Sequence, residues 1–218
     1  MVNTFGPPRE QETFGFSLMG NGTDSIKKAH DCFEKMDQLV KGVDHNLKDA
    51  VFFLNHGIEI LLKVMLEERN FFLMFSDIDK YQKAKEKMKR ENIKDIFEAN
   101  PALKTVTLTE ALRRLEYLCD VEIDNKMKLA ILEINDTRNK LMHSNLLLNE
   151  QELNKLITEL KSCYNAIDGF FNRHIDSYNN YITEARFEFT KDEEREHNEA
   201  WADRADMYDL SILDEYAY

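Results

Sequence analysis

Proline and glycine are scarce in this chain, 3 and 7 among 218 residues. So little punctuation does not suit a fold of many short strands and favours long helices. Apolar runs are short as well, and none reaches the roughly 18 to 20 residues that a membrane span needs. The start, "MVNTFGPPREQETFGF", lacks both a basic end and an apolar signal core. Export is therefore not expected, and the expected location is the cytoplasm, with no membrane partner. The three cysteines, Cys32, Cys119 and Cys163, are odd in number, widely spaced and without metal-ligand spacing. Reduced thiols packed in helices are expected, with no disulfide and no zinc site. A net charge of −12 argues against a broad nucleic-acid-coating surface and leaves room for a small basic site.

What is present reads as helix. With 43% hydrophobic residues the chain can bury one core, and the expected class is all-α, an up-and-down bundle of four to five core helices. Residues 1–23 mix Gly, Pro, Thr and Asn without a period and are read as a flexible N-terminal arm. Asp24 or Ser25 then caps a helix in which Ile26, Ala29, Phe33, Met36 and Val40 recur every three or four residues. From about Asp44 to Arg69 the chain is apolar nearly all round, the mark of a central or interfacial helix. Its exceptions, Asn55, Glu59 and Lys63, are spaced four apart and make one polar stripe with His56 beside it. One reading is a Glu to Lys pair on a wet face. The other is a stripe that lines a site.

Residues 71–108 are expected as a helical insertion between core helices. They carry a run of base (Lys80, Lys83, Lys85, Lys87, Lys89, Arg90) that is either a solvated face or a guide for a polyanion. Pro101 breaks this segment, and Thr107 or Thr109 caps the next. A helix from about Asp124 holds "NDTRNKLMHSN". Met127, Ile131, Ile134, Arg138 and Leu141 follow a 4,3,4,3 spacing, so an arginine falls on the core seam. A buried charge is costly unless paired or serving a site. Asn139 and His143 share a neighbouring stripe. Asn149 can cap the last core helix, whose apolar face runs from Leu153 to Phe170. The bundle is expected over 24–185. Residues 186–218 hold 4 basic and 11 acidic residues, a local charge of −7, and are read as an acidic C-terminal appendage with aromatic contact points.

Arg138, Asn139, "KLM" and His143 at the end of an amphipathic helix, with Glu59 and Lys63 in "EILLK" on an earlier one, resemble the HEPN (higher eukaryotes and prokaryotes nucleotide-binding) family of helical bundles. The resemblance covers about residues 24–172. It departs from the family's antitoxin-controlled toxins at Asn145, where those tend to carry a tyrosine. The resemblance implies metal-independent cleavage of RNA by a homodimer with a composite site, needing neither metal nor cofactor, in a toxin–antitoxin or phage-defence setting with an antitoxin or other protein partner. It implies Arg138, His143 and Asn139 as catalytic residues, with Glu59 and Lys63 supporting them. The alternative is a non-catalytic HEPN dimer that binds a nucleotide or a protein. A regular helix sets Arg138 and His143 about 140° apart around its axis. Either the helix ends near Met142 and His143 swings back, or a second subunit completes the site.

Overall fold

The first helix, α1 (Leu18–Gln38), opens with the Ser17 hydroxyl accepting a hydrogen bond from the Gly20 amide at 2.9 Å. The chain is described here by a computed structural model covering residues 15–197 and residue 200. The helix therefore starts ahead of the expected Asp24 cap. Met19, Gly22 and Thr23, assigned from sequence to the arm, are buried helical residues. Residues 1–14 of that arm lie outside the described residues. Gly42, in the left-handed region at φ 81°, turns the chain into α2 (Val43–Arg69), which buries residues on nearly every face.

Two glycines set how these helices meet. A Cβ on Gly57 would stand 2.6 Å from Ile26 and 3.0 Å from the Gly22 carbonyl oxygen, and one on Gly22 would stand 2.8 Å from Leu61. Their missing side chains let the two backbones approach and let Ile26 and Leu61 interlock across the seam, both fully buried.

A 3-10 turn (Phe71–Met74) follows, then α3 (Ile78–Glu91), α4 (Ile96–Ala99) and α5 (Leu108–Leu118). Phe75 stacks on Tyr81 at 5.0 Å and pairs with Thr105 in an isolated antiparallel bridge. The Arg114 guanidinium of α5 donates to the carbonyls of Leu73 and Phe75, both at 2.8 Å, and pins this segment to the core. Among the described residues there is no strand beyond that bridge.

The bundle is completed by α6 (Asn125–His143), α7 (Glu150–His174) and α8 (Tyr178–Glu184). Asp124 caps α6, and Asn149 opens α7 with a reciprocal capping box to Glu152. Helix α2 packs against α1, α5, α6 and α7. Tyr178, 1% exposed, donates to Asp168 at 2.8 Å, and burial with that carboxylate pushes its hydroxyl pKa up. Cys32 and Cys163 are buried thiols, and desolvation pushes Cys163 up to about 12, so it acts as a packing group. The fold is thus all-helical and consistent with a helical bundle, and no described helix is long and apolar enough to cross a membrane.

The chain separates into two units, residues 1–185 and 186–218. In the second, Phe187 and Phe189 stack, and Thr190 forms a capping box with Glu193 ahead of helical residues 191–197. The aromatic residues expected as contact points from Trp201 onward lie outside the described residues.

Candidate functional site

The polar stripe of α2 follows from helix spacing: Phe52, Asn55, His56 and Glu59 stand at i, i+3, i+4 and i+7 and share a face. On α6 the seam Met127, Ile131, Ile134 is buried, and no later residue of that helix is. The next position on the seam is Arg138. Its guanidinium reaches the α2 stripe, and Phe52, Phe53, Asn55, His56, Glu59 and Arg138 together line a cleft of about 280 Å³.

Three features of the cleft carry chemistry. Lys63 is 7% exposed and binds Glu59 at 2.7 Å, so the lysine end of the pair is buried while Glu59 remains partly exposed. Arg138 is partly buried and donates to the Asn139 side-chain oxygen at 3.1 Å. Asn55 is 4% exposed, and its side-chain oxygen has no hydrogen-bond partner.

Four of the five residues named from sequence are thus linked in two pairs, Lys63 with Glu59 and Asn139 with Arg138. Glu59 and Arg138 face the same cleft. Glu59 is held by Lys63, while Arg138 is held by Asn139. His143 is placed differently. It is the last residue of α6, exposed, and not on the cleft wall. The helix ends at His143, one residue past the expected end near Met142, and within one chain His143 does not line the cleft. Sequence reasoning passed over Phe52 and Phe53 as lining residues, and it placed Asn55 and His56 on a stripe that one reading took to line a site without giving either a role. The signal was there in Asn55, a polar residue inside an otherwise apolar stretch.

Lys63 itself lines a second cleft, of about 570 Å³. Lys63, Lys85 and Lys94 line it with Glu67, Asp95 and Phe71. Of the basic run on α3, Lys85 contributes to this wall. The cluster of metal-ligating side chains found among the described residues, His30, Asp31 and Glu34 on α1, takes no part in either cleft. Asp31 pairs with Lys27 at 3.5 Å, and His30 faces Glu34 at 3.8 Å.

No family model matches this chain, and no curated protein or solved structure matches it either.

Proposed function

We propose that the protein is a metal-independent endoribonuclease of the HEPN type, working as a homodimer, with a toxin or phage-defence role. The observation that carries this reading is that Arg138 and Glu59, the latter paired with Lys63, line one cleft. These residues belong to separate helices, and two sequence features of one resemblance singled them out. The 2′-hydroxyl of a bound RNA attacks the adjacent phosphorus, a 2′,3′-cyclic phosphate forms, and the 5′-oxygen leaves with a proton. Arg138, permanently charged and planar, donates two hydrogen bonds to the phosphate as its negative charge grows. Asn139 fixes the guanidinium, and Lys63 adds positive charge behind Glu59. His143, through its imidazole, moves the proton.

One chain does not bring Arg138 and His143 onto a common face, and a second copy completes the site. The exposed apolar side chains beside the motif support such an interface: Met142 is 50% exposed and Leu147 90%. A second reading, a dimer that binds a nucleotide or a protein without cleaving, is favoured by one observation, that the cleft closes without His143.

The test is cleavage of labelled RNA in EDTA by the wild type beside Arg138→Ala and His143→Ala, each shown to be folded and of the same oligomeric state. Wild-type cleavage is expected, with each variant slower by about 10²- to 10³-fold. A His143→Ala protein as active as the wild type, or no cleavage by the wild type across varied RNAs, replaces this reading with the binding module.

A further inference from the structure

We propose that a bound RNA strand runs on from the Arg138 cleft into the second cleft, where Phe71 and Phe97 stack one of its bases and Lys85 and Lys94 meet its phosphates. That the ligand is RNA rests on the function proposed above. The path it takes rests on the second cleft.

The segment that walls this cleft is basic in an acidic protein. Residues 80–94 hold seven basic side chains and two acidic ones, a local charge of +5 in a chain of −12. Such a stretch attracts a polyanion over about 8 Å at physiological salt, so the attraction does not depend on the pose of any one ammonium group. Within the run the cations divide. Lys80, Lys87 and Arg90 are in ion pairs with Asp77 and Glu91. Among the described residues Lys85 and Lys94 are in none, and these are the two cations of the run that line the cleft. The wall as a whole carries three lysines against Glu67 and Asp95. Asp95 is held at the start of α4, where one of its oxygens accepts from the Phe97 and Glu98 amides at 2.8 Å each.

Aromatic surface lies beside that charge. Phe75 is fully buried, and the rings of Phe71 and Phe97 pack against it at 5.2 Å and 5.8 Å. Both rings are anchored in this way, yet Phe71 is only half-buried and Phe97 is 41% exposed. Proteins that hold single strands combine these two elements, rings on which bases stack and cations that track the phosphates. A cleft of about 570 Å³ falls within the range of ligand pockets and has room for a nucleotide.

Helix α2 joins this cleft to the first. Glu59 lines the one and Lys63, bonded to it at 2.7 Å, lines the other. Lys63 stands four residues on from Glu59, about 6 Å along the helix axis and about 40° around it. The two clefts therefore adjoin on one helix, and a strand with a phosphate at Arg138 continues past the Glu59–Lys63 pair into the second.

The experiment is equilibrium binding of a labelled 2′-O-methyl oligouridine nonamer to the full-length protein across a salt series. The 2′-O-methyl group blocks the attack, so affinity is read whether or not the protein cleaves RNA. Replacing both wall lysines, Lys85→Gln with Lys94→Gln, is expected to weaken binding. It is also expected to flatten the plot of log affinity against log salt by about 1.4, for two phosphate contacts at about 0.7 each. Lys83→Gln with Lys89→Gln removes the same charge from the same run away from the wall, and should change the slope by less than half as much. Phe97→Ala should weaken binding about fivefold or more at each salt concentration and leave the slope as it is. No binding by the wild type, or a slope that the two double variants change alike or not at all, overturns the proposal. So does a folded Phe97→Ala protein that binds as tightly as the wild type. The lysine comparison decides even if Phe97→Ala fails to fold. Cleavage in EDTA that persists while the two double variants share one slope removes this path and leaves the ribonuclease reading standing. Absence of cleavage, with a slope flattened by the wall pair alone, removes the ribonuclease reading and leaves the path.

Discussion

Small residues stand at the seam between α1 and α2 and again at the seam between α6 and α7, with opposite results. In the first, Gly22 and Gly57 let the backbones close until an added Cβ at Gly57 would overlap Ile26 at 2.6 Å. In the second, Ala130, Ser162 and Ala166 flank an apolar groove of about 460 Å³ that also reaches Met127, Leu156 and Cys163. Small side chains tighten a helix pair only where large neighbours interlock around them, as Ile26 and Leu61 do. The cleft inherits this difference. Its α2 wall rides on the tight seam. Its α6 wall, past Ile134, has no buried residue of its own helix to hold it.

The largest expected effect breaks the tight seam. Gly57→Ala places a methyl against Ile26 and the Gly22 carbonyl oxygen. Overpacking of about 1–3 kcal/mol outweighs the roughly 1 kcal/mol gain in helix propensity. Contacts this short call for the upper part of that range, so denaturant unfolding should show a net loss of up to about 2 kcal/mol, and no loss would mean that the glycines do not set the approach.

A larger addition at the loose seam should do less. Ala130→Leu places three more carbons beside the groove and should change stability by under about 0.5 kcal/mol. If it costs as much as Gly57→Ala in the same titration, the two seams are alike and the contrast is lost.

The smallest effect is electrostatic and sits at the end of α7. His174 packs against Phe170 at 4.6 Å, and desolvation, with Arg173 and Arg69 adding to it, holds its pKa below the ordinary histidine value. The unfolded chain therefore takes up the proton first, and binds more protons than the folded one between the two pKa values. This contribution is fully present above about pH 6.5 and is lost as pH falls through the folded pKa. Amide exchange, corrected for its intrinsic pH dependence, should show α7 losing protection near His174 across that window while α1 and α2 hold theirs. In His174→Phe the change should disappear.

Much of the helical fold could be read in advance because it depends on local rules. Thr107, Asp124 and Asn149 each cap the helix that the apolar period begins. The start of α1 could not. "MGNGT" is weak helix material, and it is helical because Gly22 fits against Leu61, a contact 39 residues away that no local window contains. The site divides in the same manner. The stripe of α2 and the arginine on the α6 seam follow from spacing. That they line one cleft, and that Asn55 is left there without a donor, depends on how two helices cross.

The backbone bonds that join Met74 to Val106 and Ser76 to Lys104, reinforced by Arg114, have a use beyond holding the core. They fasten the two ends of the segment 77–103 to each other. A loop already closed at its base costs only about 0.6 kcal/mol for each doubling of its length. Length can therefore be gained or lost there, or a reporter domain spliced in, while α2 and α6 keep their crossing.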